Sequence, residues 1–295
     1  MKGLIVKGIA GFYYVRTVSD AKVGDMVYQC KARGVFKKDG ITPTVGDNVE
    51  MEMREDGDGF ITKIYPRKNI FIRPPIANVD KIVVVVAAAN PEPSFQIIDK
   101  FLVMAEREHV DITLCVNKVD LAEEAVLAKF RDIYDGLYDI HFISAKGGIG
   151  VDELRKSLAG SRAALAGPSG VGKSTLINRL AGAGMETGEV SKKTGRGKQT
   201  TRHSEIFTLE GGGMIFDTPG FTSFKVLDAD EMELMELYPE MAPFLGCCKY
   251  DNCKHLKEPG CAVRQAVGSG KIHKSRYESY MAQMAEIDER EKKKY

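Results

Sequence analysis

The sequence predicts a multidomain α/β protein in three parts: a small N-terminal β-barrel, a central α/β domain built on a phosphate-binding loop, and a C-terminal helical unit that holds a metal. Three observations carry this prediction. Residues 1 to about 70 contain only short alternating segments separated by turns. From Val79 onward, near-continuous apolar strands alternate with helical periodicity, and one of them runs into a glycine-rich loop. Beyond Leu227, cysteines and a histidine crowd into one short window.

Composition sets the outer limits. A chain of 295 residues suggests two or three domains, and 43% hydrophobic residues are enough for real cores. Lysines and arginines number 42 against 41 acidic residues, so bulk charge points to no polyanionic partner and any such contact must come from local patches. No apolar run approaches the length that crosses a bilayer, so no membrane association is expected. The stretch from Met1 to Val15 reads as β-strand rather than signal peptide, because glycines and tyrosines interrupt its apolar patch. Of six cysteines, Cys247, Cys248, Cys253 and Cys261 cluster, which in a chain where no export signal is expected reads as metal binding rather than disulfides.

In the barrel, strands are expected at Gly8 to Val15, Met26 to Lys31, Val49 to Met53 and Gly59 to Ile64, with turns at Val45-Gly46-Asp47-Asn48 and Glu55 to Gly59. Lys31, Arg33, Lys37 and Lys38 form a basic run that suits either RNA or a solvated edge. Residues 66 to 80, punctuated by Pro66, Pro74 and Pro75, read as a linker. The α/β domain follows. Ile82 to Ala88 has the uninterrupted apolar character of a strand in a buried parallel sheet. Strands Ile112 to Val116 and Ile140 to Ile143 alternate with helices Phe95 to Glu108, Leu121 to Tyr134 and Val151 to Leu158. Glu205 to Leu209 and Met214 to Phe216 pair as strands across three glycines. In the third part, an acidic helix (Asp228 to Leu237) precedes the cysteines, and a final helix from about Lys271 carries Tyr277, Tyr280, Met281, Met284 and Ile287 on one face. The resulting domains are 1–70, 71–226 and 227–295.

The organising motif is Gly167-Pro168-Ser169-Gly170-Val171-Gly172-Lys173-Ser174, followed by Thr175, which fits G-x-x-x-x-G-K-[ST] at every fixed position. An apolar strand precedes it and a helical pattern follows. The glycines let the loop curl so that successive N–H groups face phosphate oxygens, and the new helix adds its positive dipole end. Lys173 reaches the β- and γ-phosphates, and Ser174 supplies a hydroxyl to Mg²⁺. Asn117-Lys118-x-Asp120 ends a buried strand. The Asp120 carboxylate accepts from guanine N1–H and its 2-amino group, whereas adenine offers an acceptor at N1 and no 2-amino group. Asn117 braces the loops and the Lys118 stem covers the base. Ser144-Ala145-Lys146 ends the next strand, and the Ala145 N–H is placed to meet guanine O6. Asp217-Thr218-Pro219-Gly220 ends another strand. There Asp217 holds Mg²⁺ through water, and the Gly220 N–H senses the γ-phosphate. The nucleotide pair is therefore GTP and GDP.

The order of these motifs is unusual, because both base-reading segments precede the phosphate loop. The chain resembles circularly permuted GTPases: every strand is present, and the new ends fall beside Asp217–Gly220, where the third part hangs through Phe221 to Leu227. Cys248-x₄-Cys253-x-His255-x₅-Cys261 offers three thiolates and one imidazole, the ligand set of one closed structural Zn²⁺ site, with Cys247 as a spare that competes with Cys248.

Barrel, permuted domain and zinc unit together resemble the RsgA (YjeQ) family of bacterial small-subunit-dependent GTPases. The resemblance spans nearly the whole chain and includes Arg33-Gly34, Val45-Gly46-Asp47, Arg73-Pro74 and Ala77-Asn78-Val79-Asp80. It implies an OB-type barrel, a cytoplasmic monomer, GTP hydrolysis stimulated by the small (30S) ribosomal subunit, and a role in that subunit's late maturation through 16S rRNA. Gly195 to Thr201 matches the family's switch, but Gln199 stands where the family commonly has histidine. Gln199 orients water through its amide but is no titrating base. His203 and a partner's group remain alternatives for positioning water, and Phe221 follows Gly220 where many GTPases place a glutamine. Slow hydrolysis by the chain alone is therefore expected. Thr200 or Thr201 ligates Mg²⁺ in the GTP state. Lys192, Lys193, Arg196, Lys198 and Arg202 make the switch a candidate RNA contact. Two other readings stay open: a non-catalytic, nucleotide-dependent RNA-binding module, and a permuted GTPase with another nucleic-acid partner.

Overall fold

The structure is a computed structural model and describes residues 1–17, 26–34, 36, 40–54, 59–72, 74–181, 204–218 and 230–293. The first strands are β1 (Lys2–Ile9), β2 (Phe12–Thr17), β3 (Met26–Ala32), β4 (Asn48–Met53) and β5 (Gly59–Ile64), followed by β6 (Ile70–Ile72) and β7 (Pro75–Ala77). Next come β8 (Lys81–Ala87), α1 (Phe95–Glu106), β9 (Asp111–Asn117), α2 (Glu124–Tyr134), β10 (Asp139–Ile143), α3 (Val151–Ser157), β11 (Arg162–Ala166) and α4 (Lys173–Ala181). The remainder holds β12 (Glu205–Thr208), β13 (Met214–Asp217), α5 (Glu231–Glu236), α6 (Ala262–Gly268) and α7 (Lys274–Lys292). Among the described residues the chain divides into two compact units. One takes Met1–Ile82, Val151–Leu165 and Lys173–Thr222, and the other takes Val83–Gly150, Ala166–Gly172 and Ser223–Tyr295.

In the first unit, the strand order β1-β2-β3-β5-β4 closes on itself because β1 also pairs with β4, giving a five-stranded barrel. The expected strand Gly8 to Val15 is in fact two strands. Ala10 (φ +48°) and Gly11 (φ +85°) both take left-handed conformations, the two-residue turn that matches hairpin twist, and reverse the chain between β1 and β2. The expected linker also contains structure. β6 and β7 pair antiparallel, with Phe71, Ile76, Ala77 and Val79 buried, so prolines there mark a hairpin and not an open segment. The barrel is part of a longer ladder: β1 pairs with β12, β12 with β13, and β13 runs parallel to β11.

A polar cluster explains the motif residues of this unit. Asp47, fully buried, takes a two-pronged ion pair from Arg67 at 2.7 and 2.8 Å and accepts the Thr44 N–H. Gly46 has φ +98°, and a Cβ there would lie 2.0 Å from the Ala77 carbonyl oxygen. Its own carbonyl accepts from Asn78 Nδ2 at 2.9 Å and from an Arg162 nitrogen at 3.1 Å. Arg162 also reaches Asn48, and its backbone exchanges hydrogen bonds with Asp80. The barrel turn is thus tied to the first residue of β11, the strand that leads to the phosphate loop.

In the second unit, β10 and β9 run parallel and β8 lies beside β9. Ile82 to Ala87 is buried throughout, as its β-branched run requires with both faces covered. The C-terminal part of this unit has a core in which Val103 of α1 packs with Leu234, Tyr238, Met241, Val263, Tyr277, Tyr280, Met284 and Ile287. The apolar stripe on α7 is therefore core. Asp230 caps α5 by accepting the N–H groups of Met232 and Glu233, so this helix starts later than Asp228.

Candidate nucleotide site and metal centre

Three positions of the loop 166–172 favour glycine. Gly167 (φ +140°) sits so that a Cβ would lie 2.0 Å from the Val85 carbonyl oxygen, and at Gly172 (φ +98°) it would lie 2.5 Å from Asn117 Nδ2. Gly170 is also left-handed, at φ +80°. All three take conformations that side chains resist, and Gly167 and Gly172 are also pressed against neighbours, the reason the motif demands glycine. Asn117 is 2% exposed and ties three segments together. Its Nδ2 donates to the Val171 carbonyl at 2.8 Å, and its Oδ1 accepts from the Lys118 N–H at 2.8 Å and the Ala145 N–H at 2.9 Å. Lys118, left-handed at φ +65°, sends its ammonium to the Gly170 carbonyl at 2.7 Å and to the Asn90 carbonyl.

Asp120 is exposed in the short 3₁₀ turn Val119–Leu121. Ser144 is buried, its hydroxyl accepting the Gly147 N–H at 2.9 Å, which shapes the loop that exposes Lys146. The Ala145 N–H, expected to face guanine O6, is donated to Asn117 in this structure, so the base would have to share or replace that acceptor. Pro168 is half-buried and Ser169 exposed.

The remaining phosphate and magnesium candidates lie in the first unit. Lys173, Ser174 and Thr175 form the first turn of α4, with Ser174 and Thr175 exposed. Burial pushes the Lys173 ammonium down to about 8, a cost that an adjoining phosphate anion would reverse. Asp217 ends β13, and burial first, then the nearby Glu205 carboxylate, raises its carboxyl above the usual range. Beside it, the buried Thr218 hydroxyl has no hydrogen-bond partner among the described residues. A carboxylate under negative load next to an orphaned hydroxyl fits a hydrated divalent cation. Gly220, Gln199, Thr200, Thr201, His203, Phe221 to Leu227 and the basic switch residues lie outside the described residues.

At the metal centre, the candidate ligand atoms of Cys248, Cys253, His255 and Cys261 all lie within 4.8 Å of one another. Cys248 Sγ and Cys261 Sγ are 3.4 Å from His255 Nδ1 and 3.9 Å from each other. A tetrahedron with Zn–S of about 2.3 Å and Zn–N of about 2.05 Å has edges of about 3.8 Å (S···S) and 3.5 Å (S···N). The residues therefore fit zinc. Cys248 belongs to the cluster, and the exposed Cys247 points instead at the Pro243 carbonyl. The N–H groups of Ala262 and Arg264 approach Cys248 Sγ and Cys261 Sγ, as thiolates require.

Two family models match this chain: "RsgA N-terminal domain" over residues 2–61 and "RsgA GTPase" over residues 64–227. The chain belongs to the RsgA family. Among its relatives, a small ribosomal subunit biogenesis GTPase RsgA from Carboxydothermus hydrogenoformans is 46% identical, covering 98% of this chain and 99% of that protein. The protein of the same name from Clostridium acetobutylicum is 45% identical over 95% and 96%. Two solved structures share the fold along nearly the whole chain. YjeQ from Thermotoga maritima has a TM-score of 0.82 at 36% identity, covering 97% of this chain and 98% of its own. YloQ, a circularly permuted GTPase, has 0.80 at 35%, covering 98% and 95%. The RsgA fold expected from the sequence is thus present: five-stranded barrel, permuted GTPase domain and a C-terminal helical part with a zinc-compatible cluster.

Several contacts that shape this RsgA chain were not read from its sequence. Glu258 curls back to accept the N–H groups of Lys254, Leu256 and Lys257, fixing the loop that holds His255 in its left-handed conformation. Tyr277 and Tyr280 of α7 donate to the carbonyls of His255 and Lys254, both at 2.7 Å. Arg276, fully buried, pairs with Asp99 of α1 at 2.6 Å and with Glu240 at 2.7 and 3.1 Å. Glu258 is near enough in sequence to be suspected; Arg276 carries no local signal at all.

Proposed function

We propose that this RsgA-family chain hydrolyses GTP and acts in biogenesis of the small (30S) ribosomal subunit, which stimulates the hydrolysis. The observation that carries the reading is Asn117, which links Val171 of the phosphate loop, the Lys118 backbone and Ala145 through one carboxamide. Segments that are out of their usual order in sequence are thereby held as one base-and-phosphate cradle.

The roles follow from chemistry. Asp120 selects guanine, and Lys118 covers the base while bracing Gly170. Amides of Gly167 to Gly172 and the Lys173 ammonium stabilise charge developing on the transferred phosphoryl oxygens. Ser174, Asp217 and either Thr200 or Thr201 would hold Mg²⁺, which would supply Lewis-acid stabilisation of phosphate charge. Gln199 orients the attacking water, and the Gly220 N–H senses the γ-phosphate. Cys248, Cys253, His255 and Cys261 hold one structural Zn²⁺. The functional domains are 1–70, 71–226 and 227–295, acting as a cytoplasmic monomer on 16S rRNA without membrane contact. Cations stacked on rings along the barrel support the RNA contact: Arg54 over Phe60, Lys2 and Lys63 over Tyr65, and Lys31 over Phe12.

The test is multiple-turnover phosphate release from GTP against titrated small subunits. Slow turnover alone that rises with small subunits, and not with large ones, is expected. A preference for ATP, or a fast intrinsic rate indifferent to subunits, would overturn the proposal.

A further inference from the structure

A row of charged residues runs from the barrel to the strand end that carries Asp217. Lys7 of β1 is the antiparallel register partner of Glu205 in β12, and Glu205 is the antiparallel register partner of Asp217 in β13. Directly opposed residues of antiparallel strands project from the same face, with Cβ atoms about 5 Å apart. Lys7, Glu205 and Asp217 therefore stand side by side across three strands. The first link is an ion pair: Lys7 Nζ lies 2.9 Å from Glu205 Oε2, with the two side chains 19% and 35% exposed. The second link sets two carboxylates opposite each other, an arrangement that destabilises a sheet unless something positive intervenes. Lys7 supplies positive charge on one side of Glu205.

Resting on the reading of Asp217 as the magnesium carboxylate, we propose that Glu205 and Lys7 are positioning residues for that cation. Glu205 adds negative charge beside the magnesium hydration shell and accepts from one of its waters. Lys7, acting through Glu205, withdraws part of that charge. A carboxylate has acceptor capacity for both partners, so the ion pair does not exhaust it. Magnesium keeps several waters when bound, and outer carboxylates that orient them tune affinity. The barrel thus sets how tightly the GTPase site holds its metal, through a β1–β12 pairing that the family's nucleotide motifs do not include.

The experiment measures release of a fluorescent GDP analogue from the full-length protein as free Mg²⁺ is varied, and reads the Mg²⁺ concentration giving half-maximal retention. Glu205→Gln is expected to raise that concentration by about sevenfold, the effect of one charge ~7 Å from a divalent ion in a water-like medium, and Lys7→Met, one strand further out at ~12 Å, to lower it by about threefold. Lys7→Arg should behave as the parent does. Lys7→Gln replaces Lys7→Met should the latter melt early. The inference fails if the Glu205 and Lys7 variants shift the midpoint in the same direction, or leave it unmoved while Asp217→Asn abolishes the Mg²⁺ dependence. In that second case the magnesium assignment itself stands. If Asp217→Asn leaves the dependence unchanged, the assignment of Asp217 is what has failed.

Discussion

Asn117 shows how much one carboxamide can organise. Two atoms satisfy three backbone groups, those of Val171 and Ala145, both buried, and of the half-buried Lys118. An alanine there leaves each of them unpaired, at about 1–3 kcal/mol apiece. Asn117→Ala should therefore weaken guanine-nucleotide binding by at least about a hundredfold, read by titration with a fluorescent GDP analogue. Unchanged affinity would separate the cradle from the site. Gly172→Ala acts on the same contact from the other side, since its Cβ would press into Asn117 Nδ2 at 2.5 Å. It should lose nucleotide binding to a similar degree while the thermal melting point moves by only a few degrees. Asp120 tests a different property. Replacing its carboxylate with a carboxamide presents an N–H where guanine presents its 2-amino group. Asp120→Asn should bind GTP at least about a hundredfold more weakly and favour xanthosine triphosphate, whose C2 carbonyl accepts that N–H.

At the level of elements, α7 is tied to the metal loop by two tyrosine hydroxyls, and the loop is tied to itself by Glu258. Zinc and helix packing should therefore stabilise each other. Mass spectrometry of the purified protein is expected to find one zinc per chain. Its removal by a chelator, or Cys261→Ser, should lower the melting point and expose α7 to proteolysis, whereas Cys247→Ser should change neither. Zinc retained equally by the Cys247 and Cys248 variants would contradict the geometry. Arg276 joins α7 to α1 through Asp99, and it also stacks on Tyr238 at 4.7 Å. Arg276→Met strands two buried carboxylates and should cost about 3–5 kcal/mol in chemical denaturation. A further Asp99→Asn and Glu240→Gln exchange should recover part of that loss, because it removes the stranded charges.

At the scale of the whole molecule, composition and short motifs read clearly because they depend on residue type at fixed local spacing. Gly167 to Ser174, Asn117 to Asp120 and the Cys–His window each carry their own chemistry within a few residues, so the three-part fold and the candidate ligands were legible without coordinates. Local pattern failed where the backbone reversed within an apparently continuous run, as at Ala10-Gly11, and where prolines sat inside a hairpin, as at β6 and β7. Alternation records which side chains are buried but not where the chain turns back.

Sequence alone determined which candidate groups this protein offers for phosphate, guanine and metal. Only the tertiary structure decided which of them meet: that Cys248 and not Cys247 joins the cluster, that Ala145 already spends its N–H on Asn117, and that Lys7 stands beside Glu205. The physical reason is range. Propensity and motif chemistry act over a few residues, whereas ion pairs, register and buried hydrogen bonds join groups that only the folded chain brings within a few ångströms.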